Sequence, residues 1–245
     1  MDPRPGIIEA RLAKVRNVLV VSGAKGGVGK TSVASVLALT LSRSDYRVGL
    51  LDLDFTCPSA HVILGAEGLY PQEANGIVPP DLAGVKFMSI HYFTGRRPAA
   101  LRGSDVTNVM IELLAITRWE ALDFLILDMP PGLGDVTLDV IRLMPNVRFL
   151  IVTTASRLAL ETVKNMLTML RQMSVPVLGV VENMRRTSSS VVRDELHPFN
   201  VPVIGEIDFD GSLEEAIGNT DQLLHTRFAT DVKEMILRAQ HQHLL

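Results

Sequence analysis

The sequence predicts an α/β fold, a three-layer α/β/α sandwich around a mostly parallel sheet, and three observations carry that expectation. Runs of branched apolar residues recur along the 245-residue chain at 18–21, 48–51, 124–127, 149–152, 177–181 and 201–204. Unbroken runs of this length suit strands covered on both faces, as in a parallel sheet. Helical patterns of crossover length lie between them, at 31–41, 104–119, 159–172 and 221–239. A glycine-rich turn joins the first strand to the first strong helix, and right-handed crossovers complete the expected topology.

A short amphipathic opening spans residues 7–15, and the first strand then leads into Gly23-Ala24-Lys25-Gly26-Gly27-Val28-Gly29-Lys30-Thr31. Between a strand and a helix, such a run curls consecutive backbone amides around phosphate oxygens, and the helix amino terminus adds a favourable field. Lys30 is placed to meet the β- and γ-phosphates and the Thr31 hydroxyl to coordinate Mg²⁺, with Ser32 next in the helix. Glycines 26, 27 and 29 keep side chains out of the phosphate space. Ala24 stands where the strict pattern has glycine, a departure that requires a negative φ there. A plain glycine-rich turn needs neither the Gly-Lys-Thr triplet nor Lys25. Two ammonium groups near one triphosphate must pair with separate oxygens, and one workable geometry sends Lys25 to the triphosphate of a second subunit.

The second strand ends in Asp52 and Asp54, one residue apart and so directed alike if the strand persists to Asp54. Ligands of doubly wound sheets sit beyond the carboxyl ends of the strands, where these acids lie. Asp54 is expected to orient or deprotonate an attacking water, and Asp52 to hold Mg²⁺ through water or to brace Lys30. Residues 71–81, rich in Pro, Gly, Asn and acids, read as a surface loop over the nucleotide edge. Asp128 closes the strand at 124–127 as a Walker B carboxylate for magnesium-bound water. Pro130, Pro131, Gly132 and Gly134 follow, a segment suited to sensing the γ-phosphate, with Asp135 as its anchor. In the helix at 159–172, Leu160, Val163, Met166, Leu167 and Leu170 recur at helical spacing before Pro176. Asn183 ends the next strand, and its amide can both donate and accept, matching the edge of adenine.

Composition narrows the function classes. Apolar residues make up 47% and charged residues 21%, as in ordinary globular proteins, and one packed domain over residues 1–245 is expected. The apolar runs stop far short of the ~20 residues that cross a bilayer, and the opening does not look like a signal peptide, so a cytoplasmic protein is expected. With 24 basic and 27 acidic residues the net charge is -3, which provides no overall field for nucleic acid.

Several separated phrases resemble the MinD/ParA class of P-loop ATPases, whose hallmark is the extra lysine in Lys-Gly-Gly-x-Gly-Lys-Thr. They are 25-KGGVGKT-31, 49-GLLDLDFTCPSAHVILG-65, 123-DFLILDMPPGLGD-135, 151-IVTT-154, 175-VPVLGVVENM-184 and 203-VIGEI-207. Within that class the chain is most similar to the Mrp/NBP35 (ApbC) proteins, described as iron-sulfur cluster carriers or scaffolds. The resemblance implies ATP and ADP as ligands, Mg²⁺ as cofactor and an ATP-dependent homodimer. It makes Lys25 the lysine that crosses the dimer interface, Lys30 the phosphate lysine and Thr31 a Mg²⁺ ligand. Asp54 becomes the switch I acid, Asp128 the Walker B acid and Asn183 the adenine reader.

The family's carrier role depends on a Cys-Pro-x-Cys motif shortly after the Glu-Asn-Met phrase. Here 182-ENM-184 is followed by 185-RRTSSS-190, and Cys57 is the one cysteine of the chain. A homodimer therefore offers one thiolate per subunit where a cluster usually takes about four, so a cluster held by this chain alone is not expected. Cys57 reads as a packing or incidental residue, and His197, His241 and His243 as surface residues. The expectation is an ATPase switch that assists iron-sulfur or metallocentre assembly through a cysteine-bearing homologue or metalloprotein client. One alternative is a MinD/ParA-like positioning ATPase. DNA contact would then draw on Arg185, Arg186 and Arg193, and membrane contact on a terminal helix in which Ile236, Leu237, Leu244 and Leu245 are the few bulky anchors. Another is a nucleotide-dependent binding module with negligible turnover.

Overall fold

The computed structural model describes residues 2–94 and 103–244. In chain order its strands are β1 (Val15–Ser22), β2 (Val48–Asp52), β3 (Gln72–Glu73), β4 (Ile77–Val78), β5 (Asp81–Leu82), β6 (Val85–Ser89), β7 (Leu122–Asp128), β8 (Val147–Thr153), β9 (Val177–Arg185) and β10 (Val203–Asp208). An eight-stranded sheet runs β10-β9-β8-β1-β7-β2-β6-β5, parallel throughout except for β5 against β6. The expected mostly parallel sheet with helices on both faces is present. Alternate strand residues feed opposite layers, Leu19, Val21 and Leu50 one core and Val20, Leu51 and Leu127 the other.

The first layer holds α2 (Lys30–Arg43), α3 (Ala60–Leu64), α9 (Ser212–Ala216), α10 (Thr220–Leu224) and α11 (Arg227–His241). The second holds α1 (Arg4–Leu12), α5 (Gly103–Ile116), α6 (Asp135–Leu143), α7 (Arg157–Gln172) and α8 (Val191–Leu196). The short α4 (His91–Thr94) follows β6. Helix α2 is buried almost all round, because the sheet lies under it and α11 beside it. The face predicted for 159–172 is the buried face of α7, while Leu158 and Met169 stay exposed.

Several elements differ from the sequence reading, each for a local reason. Strand β6 carries Lys86 in its interior, which masks the apolar run; the ammonium reaches out to Glu120 at 2.8 Å and Trp119 O at 3.2 Å. The opening helix occupies Arg4–Leu12, with proline in its first turn, because β1 already begins at Val15. The pattern at 221–239 splits into α10 and α11, since Thr226 caps a new helix by accepting from Ala229 N at 3.1 Å. The last strand begins at Val203, after Pro202.

The segment 71–81 is not over the nucleotide edge. Its β3–β4 hairpin meets the connection from α5 (Gly103–Ile116) into β7: Arg118 N donates to Ile77 O at 2.8 Å, and Arg118 Nη1 to Ala74 O at 2.6 Å. That is the amino-terminal edge of the parallel strands, opposite the glycine turn. No helix among the described residues is long and apolar enough to cross a membrane. Leu245, one of the anchors weighed above, lies outside the described residues.

Candidate functional site

β1 sits between β7 and β8, and the chain beyond β1 curls into α2 at the carboxyl edge of the sheet. Gly27 and Gly29 hold φ of +79° and +83°, a left-handed region that only glycine enters freely. Ala24 has a negative φ, meeting the condition set by its replacement of glycine. Lys30 opens α2 and is 7% exposed, whereas Lys25 stands exposed on the loop with no ion pair or hydrogen bond among the described residues. Thr31 and Ser32 are half-buried in the first turn.

β2 and β7 are adjacent, and their register places Asp52 beside Asp128. Both carboxyls are buried, at 0% and 1% exposure. Neither Asp128 oxygen makes a well-aligned hydrogen bond among the described residues. Burial pushes the Asp128 carboxyl well above its ordinary value and the Asp52 charge adds to the rise, while the nearby Thr31 hydroxyl and Lys30 ammonium oppose it. Burial likewise pushes Asp52 up to about 7, against the pull of the Asp54 and Ala60 amides. A buried pair of carboxyls, the Asp128 oxygens orphaned, beside a threonine hydroxyl is a donor set that fits Mg²⁺.

The strand ends at Asp52, so Asp54 is not directed with it as the two-residue period required. Asp52 Oδ1 accepts from Asp54 N at 3.0 Å, and Oδ2 accepts from Ala60 N at 3.3 Å and Ser89 Oγ at 3.4 Å. It therefore braces the start of α3 and the end of β6 rather than Lys30. Asp54 Oδ1 accepts from the Thr56 and Cys57 amides, each at 3.1 Å, leaving Oδ2 unengaged among the described residues. The turn after Asp128 is tied to the glycine loop, with Met129 N donating to Val21 O at 3.1 Å and Gly132 N to Gly23 O at 2.9 Å. Asp135 does not anchor this turn by a side-chain hydrogen bond; it lies exposed in the first turn of α6.

Asn183 reaches the same place from β9. Its Nδ2 donates to Val28 O at 2.9 Å, and a Cβ on Gly29 would come within 2.3 Å of that nitrogen. One amide proton is thus committed to the loop. A cleft of about 240 Å³ opens beside Asn183, lined by Gly29, Ser32, Met184, Phe209, Gly211 and Phe228 among others. Sequence reasoning missed Phe209 and Phe228. The signal available was an aromatic and acidic cluster, 208–210, just past a strand's carboxyl end.

The segment 185–190 holds no metal-ligand cluster, and no group of three or more such side chains occurs among the described residues. Arg185 donates to Glu206 at 2.9 Å and Asp208 at 2.7 Å, and Arg193 pairs with Glu206 at 2.6 Å. Of the three arginines named for DNA contact, two are therefore already neutralised. Cys57 is free and exposed, so of the packing or incidental roles expected it does not pack, and His197, His241 and His243 are exposed as expected.

A family model described as ParA: NUBPL iron-transfer P-loop NTPase matches residues 14–242. An iron-sulfur cluster carrier protein from Pseudomonas fragi is 42% identical over 177 residues, covering 71% of this chain and 62% of that protein. One from Aquifex aeolicus is 36% identical over 185 residues, covering 74% and 51%. The chain thus spans about half the length of these relatives, though it covers 84% of a carrier protein from Clostridium perfringens that is 33% identical over 241 residues, 88% of this chain. Among solved structures, the nucleotide-binding protein of Archaeoglobus fulgidus, in complex with ADP and with cobalt found, superposes with a TM-score of 0.79 at 27% identity, covering 93% of this chain and 96% of that one. The cell division ATPase MinD of Pyrococcus furiosus superposes at 0.67 with 20% identity, over 92% and 99%, a likeness of fold.

Proposed function

Because the chain belongs to the family of NUBPL iron-transfer P-loop NTPases, we propose that it is a Mg²⁺-dependent ATPase whose nucleotide state switches a homodimer, and that this switch serves iron-sulfur or metallocentre assembly in the cytoplasm. The observation that carries the reading is Asp128, whose buried, unpartnered oxygens lie between Thr31 and Asp52 at the mouth of the glycine loop. The 26–29 backbone amides and Lys30 hold the β- and γ-phosphates of ATP. Thr31 and Asp128, with Asp52 and Asp54 through water, would hold the Mg²⁺, which when bound neutralises charge on the phosphate oxygens. Asp54, fixed at Oδ1 by two backbone amides, turns its free Oδ2 to orient the attacking water and accept its proton. Asn183 reads the adenine from the cleft between β9 and β10. Lys25 extends to the triphosphate on a second subunit.

A cluster is cargo in this reading rather than a resident group, handed on with a cysteine-bearing homologue or a metalloprotein client. The test is Mg²⁺-dependent phosphate release. Asp128→Ala is expected to lower the hydrolysis rate by at least ~100-fold while ADP still binds. An unchanged rate would remove Asp128 from the site. A rate of zero in the parent, with ATP bound and dimer formed, would instead leave a nucleotide-dependent binding module.

A further inference from the structure

Residues 185–190 take no part in the nucleotide site, yet they build a recess beside it. β9 and β10 end side by side, with Phe209 N donating to Arg185 O at 2.9 Å. The recess there, about 510 Å³, is lined by Arg185, Arg186, Thr187, Ser188, Phe209 and Arg227, together with Asp208. Its arginines are not equivalent. Arg185 is held by Glu206 and Asp208, and Arg193 just outside is held by Glu206. Arg227 pairs with one oxygen of Asp208 and keeps a side chain 66% exposed. Arg186 has no carboxylate partner among the described residues, and its guanidinium carbon lies 5.0 Å from the centre of the Phe209 ring. Stacking on a ring restrains a guanidinium while leaving its edge donors free.

We propose that this recess seats an acidic, partly apolar peptide segment of a protein partner. A carboxylate meets the free edges of Arg186 and Arg227, and an adjacent apolar side chain covers Phe209, which is 53% exposed, and Met184, which is 42% exposed. A nucleic acid fits less well. A phosphate ladder needs a row of unpaired cations, and here Glu206 and Asp208 neutralise the row on a chain of net charge -3. A lone anion would leave the aromatic shoulder uncovered. Phe209 and Asp208 also line the base cleft, so the seat and the nucleotide share a wall. Peptide affinity therefore differs between the ADP-bound and nucleotide-free protein, a linkage that rests on the base-cleft reading above.

Fluorescence anisotropy on the full chain tests this with a short capped peptide alternating glutamate and leucine. A lysine–leucine peptide is the control, and inorganic phosphate and single-stranded DNA are competitors. The glutamate–leucine peptide is expected to bind, and Arg186→Glu to weaken it about tenfold or more. Lys14→Glu, the same charge change at an exposed site on the opposite edge, is expected to leave it unaltered. Equal affinity in the parent and Arg186→Glu, equal weakening by both substitutions, or displacement by phosphate or DNA below the peptide's own dissociation constant would overturn the seat. ADP binding is titrated separately. If ADP binds and leaves peptide affinity unchanged, the linkage is wrong; if ADP does not bind, the base-cleft reading fails and the arginine comparison alone decides the seat.

Discussion

Asp128 and Glu182 are both buried acids whose carboxyl oxygens have no hydrogen-bond partner among the described residues, and their neighbours separate them. Asp128 lies beside Thr31, Lys30 and Asp52 at the phosphate loop, the surroundings on which its proposed Mg²⁺ role rests. Glu182 is sealed at 1% exposure though close to the rim of the sheet, opposite Glu206 in the β9–β10 register. Burial raises its carboxyl above the ordinary value and the Glu206 charge adds to that, while Arg185 and Arg193 work against it. A carboxyl raised in the folded state holds its proton more tightly folded than unfolded. Its contribution to stability is then full below the ordinary carboxylate value and is lost as pH rises through the raised one. Glu182→Gln is accordingly expected to stabilise the protein near neutral pH by on the order of 1 kcal/mol, with the gain vanishing under acid conditions. Urea midpoints of parent and variant across that range check this; a gain that persists in acid would assign the effect to packing instead.

At the scale of elements, the close seams explain where glycine is required beyond the phosphate loop. Gly49 lies in β2, where a Cβ would come 2.8 Å from Leu122 and 2.9 Å from the Trp119 ring. Trp119 is fully buried, so the ring cannot yield outward. Gly49→Ala should therefore destabilise the fold by about 1–3 kcal/mol without touching a ligand. Chemical denaturation checks the magnitude, and an unchanged midpoint would mean that β2 and the ring shift apart freely. The same scale shows why some elements were legible and others hidden. α7 has a clean apolar stripe and was read nearly to its ends, whereas β6 was masked by Lys86 and α6 begins directly after a proline-glycine turn. Periodicity reports burial, and a snorkelling lysine or a short helix interrupts the report.

For the whole molecule the question is what the exposed face around the glycine loop meets. Lys25 is exposed there with no partner among the described residues, in a loop whose other lysine is buried, and the proposed reading sends it to a second subunit's site. Lys25→Ala is expected to weaken ATP-dependent dimerisation about tenfold or more while ADP affinity changes little. Sedimentation with and without ATP checks this, and equal dimer content in parent and variant would sink the interface role.

The apolar runs, the glycine loop with both lysines and the carboxylates at the ends of β2 and β7 were readable in the chain itself. Each is written within one turn or one strand, where local spacing dictates conformation. Only the tertiary structure placed Asp52 against Asp128, because neighbours in a parallel sheet follow from strand order and register rather than from separation along the chain. The same reason moved the 71–81 hairpin to the far edge, engaged Arg185 and Arg193 with Glu206 and Asp208, and opened the cleft beside Asn183 where β9 and β10 end. Charge pairing and cavity walls are properties of surfaces brought together by packing, and no short stretch of sequence contains both sides of one.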